Sequence, residues 1–187
     1  VPEKFRAQLS GMTEAERNAN YNINMSSTAE GALSVIDEKL IRMRALAVQA
    51  SNGALTSDDR AFINVEFQQM KSEVTRIANV ANYNGKKLLD GSLSGATAAT
   101  ANQASLSNDG QGLKFHIGAN NTVGEDYYYV NVGGATATHL GIADAVVTDT
   151  ATAQQAIDTI DAAIDSKDTS RAFIGAMVNR LQNNILE

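Results

Sequence analysis

The sequence contains no cysteine and no tryptophan, and its only proline is Pro2. Without cysteine the chain can form neither disulfides nor thiolate metal ligands, and it has no cysteine nucleophile. Because proline is the strongest helix breaker, its absence after residue 2 permits long uninterrupted helices. No run approaches the roughly 20 consecutive apolar residues of a membrane-spanning helix, and the N-terminus shows no basic-then-apolar secretion signal.

Large aromatic rings and positive charge are also scarce. The 187 residues include five Tyr and five Phe, so most of the 43% hydrophobic content is aliphatic or alanine. That mixture favours slender packed helices over a globular interior. Fifteen Lys and Arg against 21 Asp and Glu give a net charge of -6, which argues against nucleic acid or an anionic membrane as the main partner.

Apolar residues spaced three and four apart predict two long helices in the first half of the chain. The first extends from Lys4 to Ala50 and would be about 70 Å long at ~1.5 Å per residue. Its apolar stripe consists of Phe5, Leu9, Met12, Ala19, Ile23, Ala29, Leu33, Ile36, Leu40, Met43, Ala47 and Ala50. The second follows the turn at Ser51-Asn52-Gly53 and the capping residues 56–59, and it ends at Asn84-Gly85. Its stripe consists of Ile63, Phe67, Met70, Val74, Ile77 and Ala81. The short turn predicts an antiparallel helical hairpin.

A third helix is predicted to begin at Thr152, where Thr152 and Gln155 fit a capping box. Its stripe consists of Ile157, Ile160, Ile164, Lys167, Arg171, Ile174, Val178, Leu181 and Ile185. Lys167 and Arg171 can lay their methylene stems along this stripe and reach a neighbouring carboxylate, or they can weaken the contact locally. No stop signal precedes Glu187, so we expect both ends of the chain to be cut within a pattern, as in a fragment.

Between the second and third helices the helical pattern stops. Residues 91–112 are rich in Gly, Ser, Thr, Ala and Asn and are predicted to form a loop. Leu113–Ile117 and Tyr128–Val132 alternate in polarity and predict a β-hairpin. Residues 138–149 are interpreted as loop, with a short helical turn as the alternative.

These patterns predict a mainly α fold with a small β-hairpin region, arranged as a rod-like antiparallel bundle of long helices. We expect one elongated domain in three parts: a helical hairpin (1–90), a loop and β-hairpin region (91–150) and a returning C-terminal helix (151–187).

The residues give little support to catalysis. His116 and His139 lack the spacing of a zinc site, and Asp58 and Asp59 suit the first turn of a helix. We therefore expect neither an enzyme nor a bound cofactor or metal. The Tyr127–Tyr129 cluster leaves open a surface adhesin that stacks carbohydrate on the hairpin.

Several blocks of the sequence resemble the conserved regions of bacterial flagellin, in the order of that family. The N-terminal blocks are Arg17-Asn18-Ala19-Asn20, Thr28–Leu33, Arg42–Gly53 and Tyr83–Ser92, and the C-terminal ones are Ser170–Ala176 and Val178–Leu181. Together they lie in roughly two-thirds of the chain, and matches in register are far more specific than a lone motif.

The resemblance implies the rod-shaped core domain of flagellin, without its flanking terminal helices and its variable outer domain. It implies a structural subunit of the extracellular flagellar filament, secreted unfolded through the flagellar export channel, with other flagellin subunits as partners and an export chaperone for the full-length protein. We expect this form, without the flanking helices, to stay monomeric. A hook-filament junction protein is the alternative within the same class.

The resemblance also implies a surface that contacts neighbouring subunits and that a host Toll-like receptor reads. The residues that correspond by position are Arg42, Leu46, Gln49 and Glu73. Helical spacing predicts that the first three share one face, and the resemblance implies that Leu46 is an apolar anchor there. Ile41 and Ala45 replace a glutamine and a glutamate of the commonest pattern, which bears on receptor potency and not on the filament role.

Overall fold

The computed structural model describes residues 2–93, 105–107, 113–116 and 127–186. Its helices are α1 (Pro2–Ala50), α2 (Ser57–Val80) and α3 (Thr150–Leu186). The strands are β1 (Asn82–Tyr83), β2 (Lys86–Lys87), β3 (Ser105–Ser107), β4 (Leu113–His116) and β5 (Tyr127–Asn131). The predicted fold class, three long helices with a small antiparallel β region, is confirmed.

The starts of α2 and α3 are both set by reciprocal side-chain caps. At α2 the Thr56 hydroxyl accepts a hydrogen bond from the backbone N–H of Asp59, whose carboxylate accepts one from the Thr56 N–H, as the capping residues predict. At α3 the Asp149 carboxylate accepts from the Thr152 N–H at 2.7 Å, and the Thr152 hydroxyl accepts from the Asp149 N–H at 3.1 Å. The capping residue is therefore Asp149, and the prediction that Thr152 caps α3 together with Gln155 is wrong.

The predicted end of α2 at Asn84-Gly85 is also wrong, because α2 already ends at Val80. Asn84 and Gly85 both have positive φ, 52° and 83°, and form the two-residue turn between β1 and β2. Positive φ at both central positions is the requirement of a type I′ hairpin turn, for which Asn-Gly is the preferred pair. The turn therefore joins the two strands of a small hairpin that packs against α1, with the Tyr83 ring 5.1 Å from the ring of Tyr21.

Both α2 and α3 pack antiparallel to α1 along one continuous apolar core. Arg44 of α1 bonds to Asp161 of α3, and Lys167, farther along α3, donates to the carbonyl of Leu33, which lies earlier in α1. The helices α1 and α3 therefore run in opposite directions. The core along α1 contains Ala19, Met25, Ala29, Leu33, Ile36, Leu40, Met43, Leu46, Ala47 and Ala50. Most of the stripe predicted for α1 is therefore buried.

The first part of that stripe is the exception, because Phe5, Leu9 and Met12 are exposed. Met25 and Met177 line the same small cavity. Because α1 and α3 are antiparallel and have the same rise per residue, the end of α3 at Leu186 lies beside about residue 16 of α1. Among the described residues, those from 2 to 14 are exposed except for the partly buried Gly11. Helical spacing alone therefore overestimated the packed length of α1.

A buried ionic cluster lies at the middle of the α1–α3 contact. The side chain of Lys167 is 1% exposed. Its ammonium donates to the Leu33 carbonyl at 3.0 Å and lies 3.6 Å from an oxygen of Asp37. The Asp37 carboxylate also accepts a 3.0 Å hydrogen bond from Arg171. Burial lowers the pKa of Lys167, and the nearby Asp37 opposes that shift. Of the two alternatives for Lys167 and Arg171, the structure shows the one in which both cations reach a neighbouring carboxylate.

The β-hairpin predicted from alternating residues is also present, with β4 antiparallel to β5 and Phe115 opposite Tyr128. The connection predicted between these strands lies outside the described residues. The loop predicted over 91–112 is wrong at Ser105–Ser107, which form β3 on the other edge of β5. Phe115 and Val130 are buried and line a small cavity with Met25 and Met177, so this sheet packs against α1 and α3.

The chain between the sheet and α3 is held by polar side chains of α2. The Lys71 ammonium donates to the carbonyls of Ala143 and Ala145, at 2.9 and 2.6 Å, and burial lowers its pKa. The Leu140 N–H donates to the Thr136 carbonyl, which closes one helical turn in a segment that sequence reasoning had left open.

Candidate functional site on the α1–α2 face

The centre of the candidate site is an ion pair between α1 and α2. Arg42 donates from Nε to Oε1 of Glu66 at 2.9 Å, and its Nη2 lies 2.8 Å from the same oxygen. The two side chains are 52% and 42% exposed. Exposed pairs of this kind contribute only about 0–1 kcal/mol to stability, so both charges are available to an incoming surface at little cost to the fold.

Leu46 does not lie on this exposed face. It is 1% exposed and forms part of the core beside Met43 and Ala47. The prediction that it shares an outer face with Arg42 and Gln49 is wrong, because α2 packs over the side of α1 on which Leu46 lies. Gln49, by contrast, is exposed.

Glu73 is half-buried farther along α2 and pairs within its own helix. Its carboxylate accepts hydrogen bonds from Arg76 at 2.9 and 2.5 Å, and these bonds lower the pKa of Glu73, with Lys39 of α1 adding to the shift. Glu73 lies seven residues beyond Glu66, about 10 Å along the helix and on nearly the same side. It therefore belongs to the same face as Arg42 without contacting it.

The residue that sequence reasoning missed is Glu66. In a helical hairpin with its turn centred near residue 54, a residue twelve before the turn lies beside one twelve after it, which pairs Arg42 with Glu66. The signal was present in the sequence as this symmetric spacing, whereas the choice of Glu73 rested on resemblance alone.

Exposed apolar side chains also lie on these two helices. They are Ile41 and Val48 on α1, and Phe62 and Val65 on α2. Phe62 is 77% exposed, which is unusual for so large a ring. Next to them a shallow groove runs along α2, lined by Asn64, Val65, Gln68, Gln69, Ser72, Glu73 and Arg76. Apolar side chains interspersed with polar ones are the composition of a protein-binding surface.

The arrangement offers contact surface and no reactive group. Within the described residues, no group of three or more His, Cys, Asp and Glu side chains is placed to hold a metal ion. None of the helices in the described part of the chain is both long and apolar enough to cross a membrane. The His139 ring lies against Gly91 and Gly134, with its Nδ1 2.6 Å from the Thr136 hydroxyl. The side chains of His116 and of Tyr127–Tyr129 lie outside the described residues.

Residues 1–94, which contain the whole helical hairpin, match the family model described as the bacterial flagellin N-terminal helical region. A flagellin of Halalkalibacterium halodurans is 35% identical over 187 residues, which is 99% of this chain and 61% of the relative. The 33 kDa flagellar filament core protein of Treponema phagedenis is 34% identical over 100% of this chain and 64% of its own length. The chain thus spans somewhat less than two thirds of these relatives.

Solved structures show the same architecture. The crystal structure of Bacillus cereus flagellin superposes with a TM-score of 0.69 at 27% identity, covering 91% of this chain and 87% of that one. A putative flagellar hook-associated protein from Vibrio parahaemolyticus gives 0.66 at 17% identity, covering 94% and 84%. At that identity the second likeness shows the fold alone.

Proposed function

This chain belongs to the bacterial flagellin family, and we propose that it serves as the helical rod of a structural subunit in the flagellar filament. The observation that carries the proposal is the match of residues 1–94 to the family, since these residues form α1, α2 and the exposed face between them. The identity of about 35% to flagellins over nearly the whole chain supports the same role over a hook-filament junction protein or an adhesin.

We also propose that the role is mechanical and not enzymatic, and that the subunit acts outside the cell after export through the flagellar channel. A chain without cysteine can cross a narrow channel unfolded, because no disulfide has to be broken or remade. The export apparatus and a chaperone are the partners that this route would require.

The surface proposed for subunit contacts is the α1–α2 face, with Arg42, Glu66, Gln49 and Glu73 as its polar groups. Phe62 and Val65 would supply the apolar area that a neighbouring subunit covers. Leu46 contributes indirectly, since its side chain holds the two helices together from the core. The exposed part of this face is also our proposal for the surface that a host Toll-like receptor would read.

The test is complementation of a bacterium that lacks its own flagellin with the full-length protein that contains this chain. Electron microscopy of the cell surface and tracking of swimming would report assembly. We expect filaments from the unchanged protein, and their absence from cells that secrete it normally would refute the function.

The interface is tested by the double variant Arg42→Ala/Glu66→Ala. Its matched control is Arg44→Ala/Asp161→Ala, which removes the pair on the other side of α1, where both side chains are 45% exposed. We expect the first variant to fold and be secreted normally but to form short or few filaments, while the control assembles. Equal behaviour of the two variants would refute this face as the contact without touching the proposed function.

A further inference from the structure

The sequence contains two Asn-Gly pairs, Asn52-Gly53 between α1 and α2 and Asn84-Gly85 between β1 and β2. Asparagine before glycine is prone to lose its side-chain amide, because a glycine nitrogen has no adjacent Cβ to hinder its attack. We propose that the α1–α2 turn promotes spontaneous deamidation of Asn52, whereas the hairpin turn protects Asn84. This modification site is independent of the function proposed above.

The reaction needs no component beyond water. The Gly53 nitrogen gives its proton to hydroxide and forms a bond to Asn52 Cγ, and the C=O electron pair moves onto Oδ1. When that pair returns, the bond from Cγ to Nδ2 breaks, and Nδ2 takes a proton from water and leaves as ammonia. Water then opens the five-membered imide at either carbonyl, so that residue 52 becomes aspartate or isoaspartate with one added negative charge.

Arg60 favours the first step because it withdraws electrons from the attacking peptide group. Its Nη2 donates to the Asn52 carbonyl at 2.8 Å, while its Nε donates to the Ala50 carbonyl at 2.9 Å. The same Asn52 oxygen also accepts the Leu55 N–H at 3.2 Å. A carbonyl that accepts a charge-assisted bond draws density from its own nitrogen, which makes the Gly53 N–H more acidic.

The second step is assisted by a donor on the side-chain oxygen. The Ala54 N–H donates to Oδ1 of Asn52 at 3.0 Å, which is the atom on which negative charge collects in the tetrahedral intermediate. Asn52 and Gly53 are both exposed, so hydroxide and water reach them. Within residues 2–93 the Gly53 nitrogen donates no hydrogen bond that would have to break before it attacks.

The other Asn-Gly pair lacks these features. Asn84 and Gly85 have φ of 52° and 83°, and the paired residues on either side fix this left-handed backbone. Closing the imide requires the Asn84 backbone to leave the left-handed region, which would break the pairing of β1 with β2. The chain therefore carries its own control for the proposed site.

Incubation of the protein at mildly alkaline pH, followed by proteolysis and mass spectrometry, measures the loss of each amide and the aspartate and isoaspartate formed. We expect residue 52 to react about tenfold faster than residue 84 in the folded protein, the factor that one charge-assisted hydrogen bond supplies. In concentrated guanidinium the two sites should react at similar rates. Folded Asn52 reacting no faster than Asn84, or more slowly than in guanidinium, would overturn the proposal.

Two variants test the assigned roles. Gly53→Ala should suppress the reaction without changing the fold, because a Cβ at residue 53 meets nothing within 4 Å. Arg60→Met should slow residue 52 about tenfold while leaving residue 84 unchanged. Where the Met variant does not fold by circular dichroism, Arg60→Lys replaces it, since one ammonium cannot hold both carbonyls. An unchanged rate in a folded Arg60 variant would refute the activation by Arg60.

Discussion

Removing Asp37 should destabilise the helical bundle more than any change on its surface. Lys167 is fully buried and Arg171 is about one-third exposed, and the Asp37 carboxylate lies 3.6 Å from the Lys167 ammonium and 3.0 Å from an Arg171 nitrogen. Asp37→Ala would remove the ion-pair partner of the buried Lys167 ammonium and leave the more exposed Asp168 as the remaining negative charge beside it. Breaking a buried pair by removing one partner typically costs about 3–5 kcal/mol. Small domains are stable by only about 5–15 kcal/mol, so this is a large share of the total.

The assay is unfolding in urea followed by circular dichroism at 222 nm or an equivalent helix signal. With a slope of about 2 kcal/mol per molar urea, the loss corresponds to a midpoint lowered by about 1.5–2.5 M. Lys167→Met should cost less than Asp37→Ala, because Asp37 then keeps its hydrogen bond to Arg171. The double variant Asp37→Leu/Lys167→Met should recover most of the loss, since apolar replacement of a whole buried pair is often neutral.

The predicted loss of stability depends on the burial of the cluster, and two outcomes would contradict it. If Asp37→Ala costs less than about 1 kcal/mol, the cluster behaves as an exposed pair and the burial argument is wrong. If the double variant is as unstable as Asp37→Ala, the loss comes from packing at position 37 and not from an uncompensated charge. Arg44→Ala is the surface control, because the Arg44–Asp161 pair joins the same two helices in water.

Three further changes have expected outcomes that the same unfolding assay measures. Thr56→Ala should lower stability by about 1 kcal/mol through loss of the α2 cap. Gly134→Ala should cost about 1–3 kcal/mol, because the added Cβ would lie 2.5 Å from the His139 ring, and adding His139→Ala should restore much of it. The pKa of Asp168 is raised mainly by a hydrogen bond with Asp37, so the folded protein is more stable when Asp168 is protonated. That contribution to the free energy of unfolding is lost as the pH rises through the raised pKa. Asp168→Asn should therefore raise the urea midpoint at neutral pH. This gain should vanish below about pH 4, the pKa of aspartate in the unfolded chain. A gain in the urea midpoint that does not depend on pH would contradict this explanation.

The face around Arg42 was predicted partly correctly from helical spacing. The sequence placed Arg42 and Gln49 on the outside of α1 correctly, because their positions relative to the core stripe are a local property of the helix. It placed Leu46 there as well, which is wrong, because a second helix covers that side. A single helix carries no information about how many of its sides are covered, and only the packing of α2 decided it.

The small strands also depend on contacts that local sequence does not determine. The positive φ of Asn84 and Gly85 is a local preference, yet its use as a hairpin turn and not as a helix end required partners for β1 and β2. The polar–apolar–polar alternation of Ser105–Ser107 is too short to indicate a strand, and the segment becomes one by pairing with the edge of β5. Hydrogen bonds between strands reward contacts that a local pattern does not contain.

What the sequence determined by itself is the set of long helices, since spacing of three and four residues, the caps and the lack of proline all act within a few residues of the chain. It also determined the family, because the characteristic blocks are runs of consecutive residues. The tertiary structure alone decided that Glu66 is the partner of Arg42, that Lys167 and Arg171 share Asp37, and that Phe5 is exposed. Those outcomes depend on which surfaces meet, and residues far apart in the chain meet only when the helices have packed.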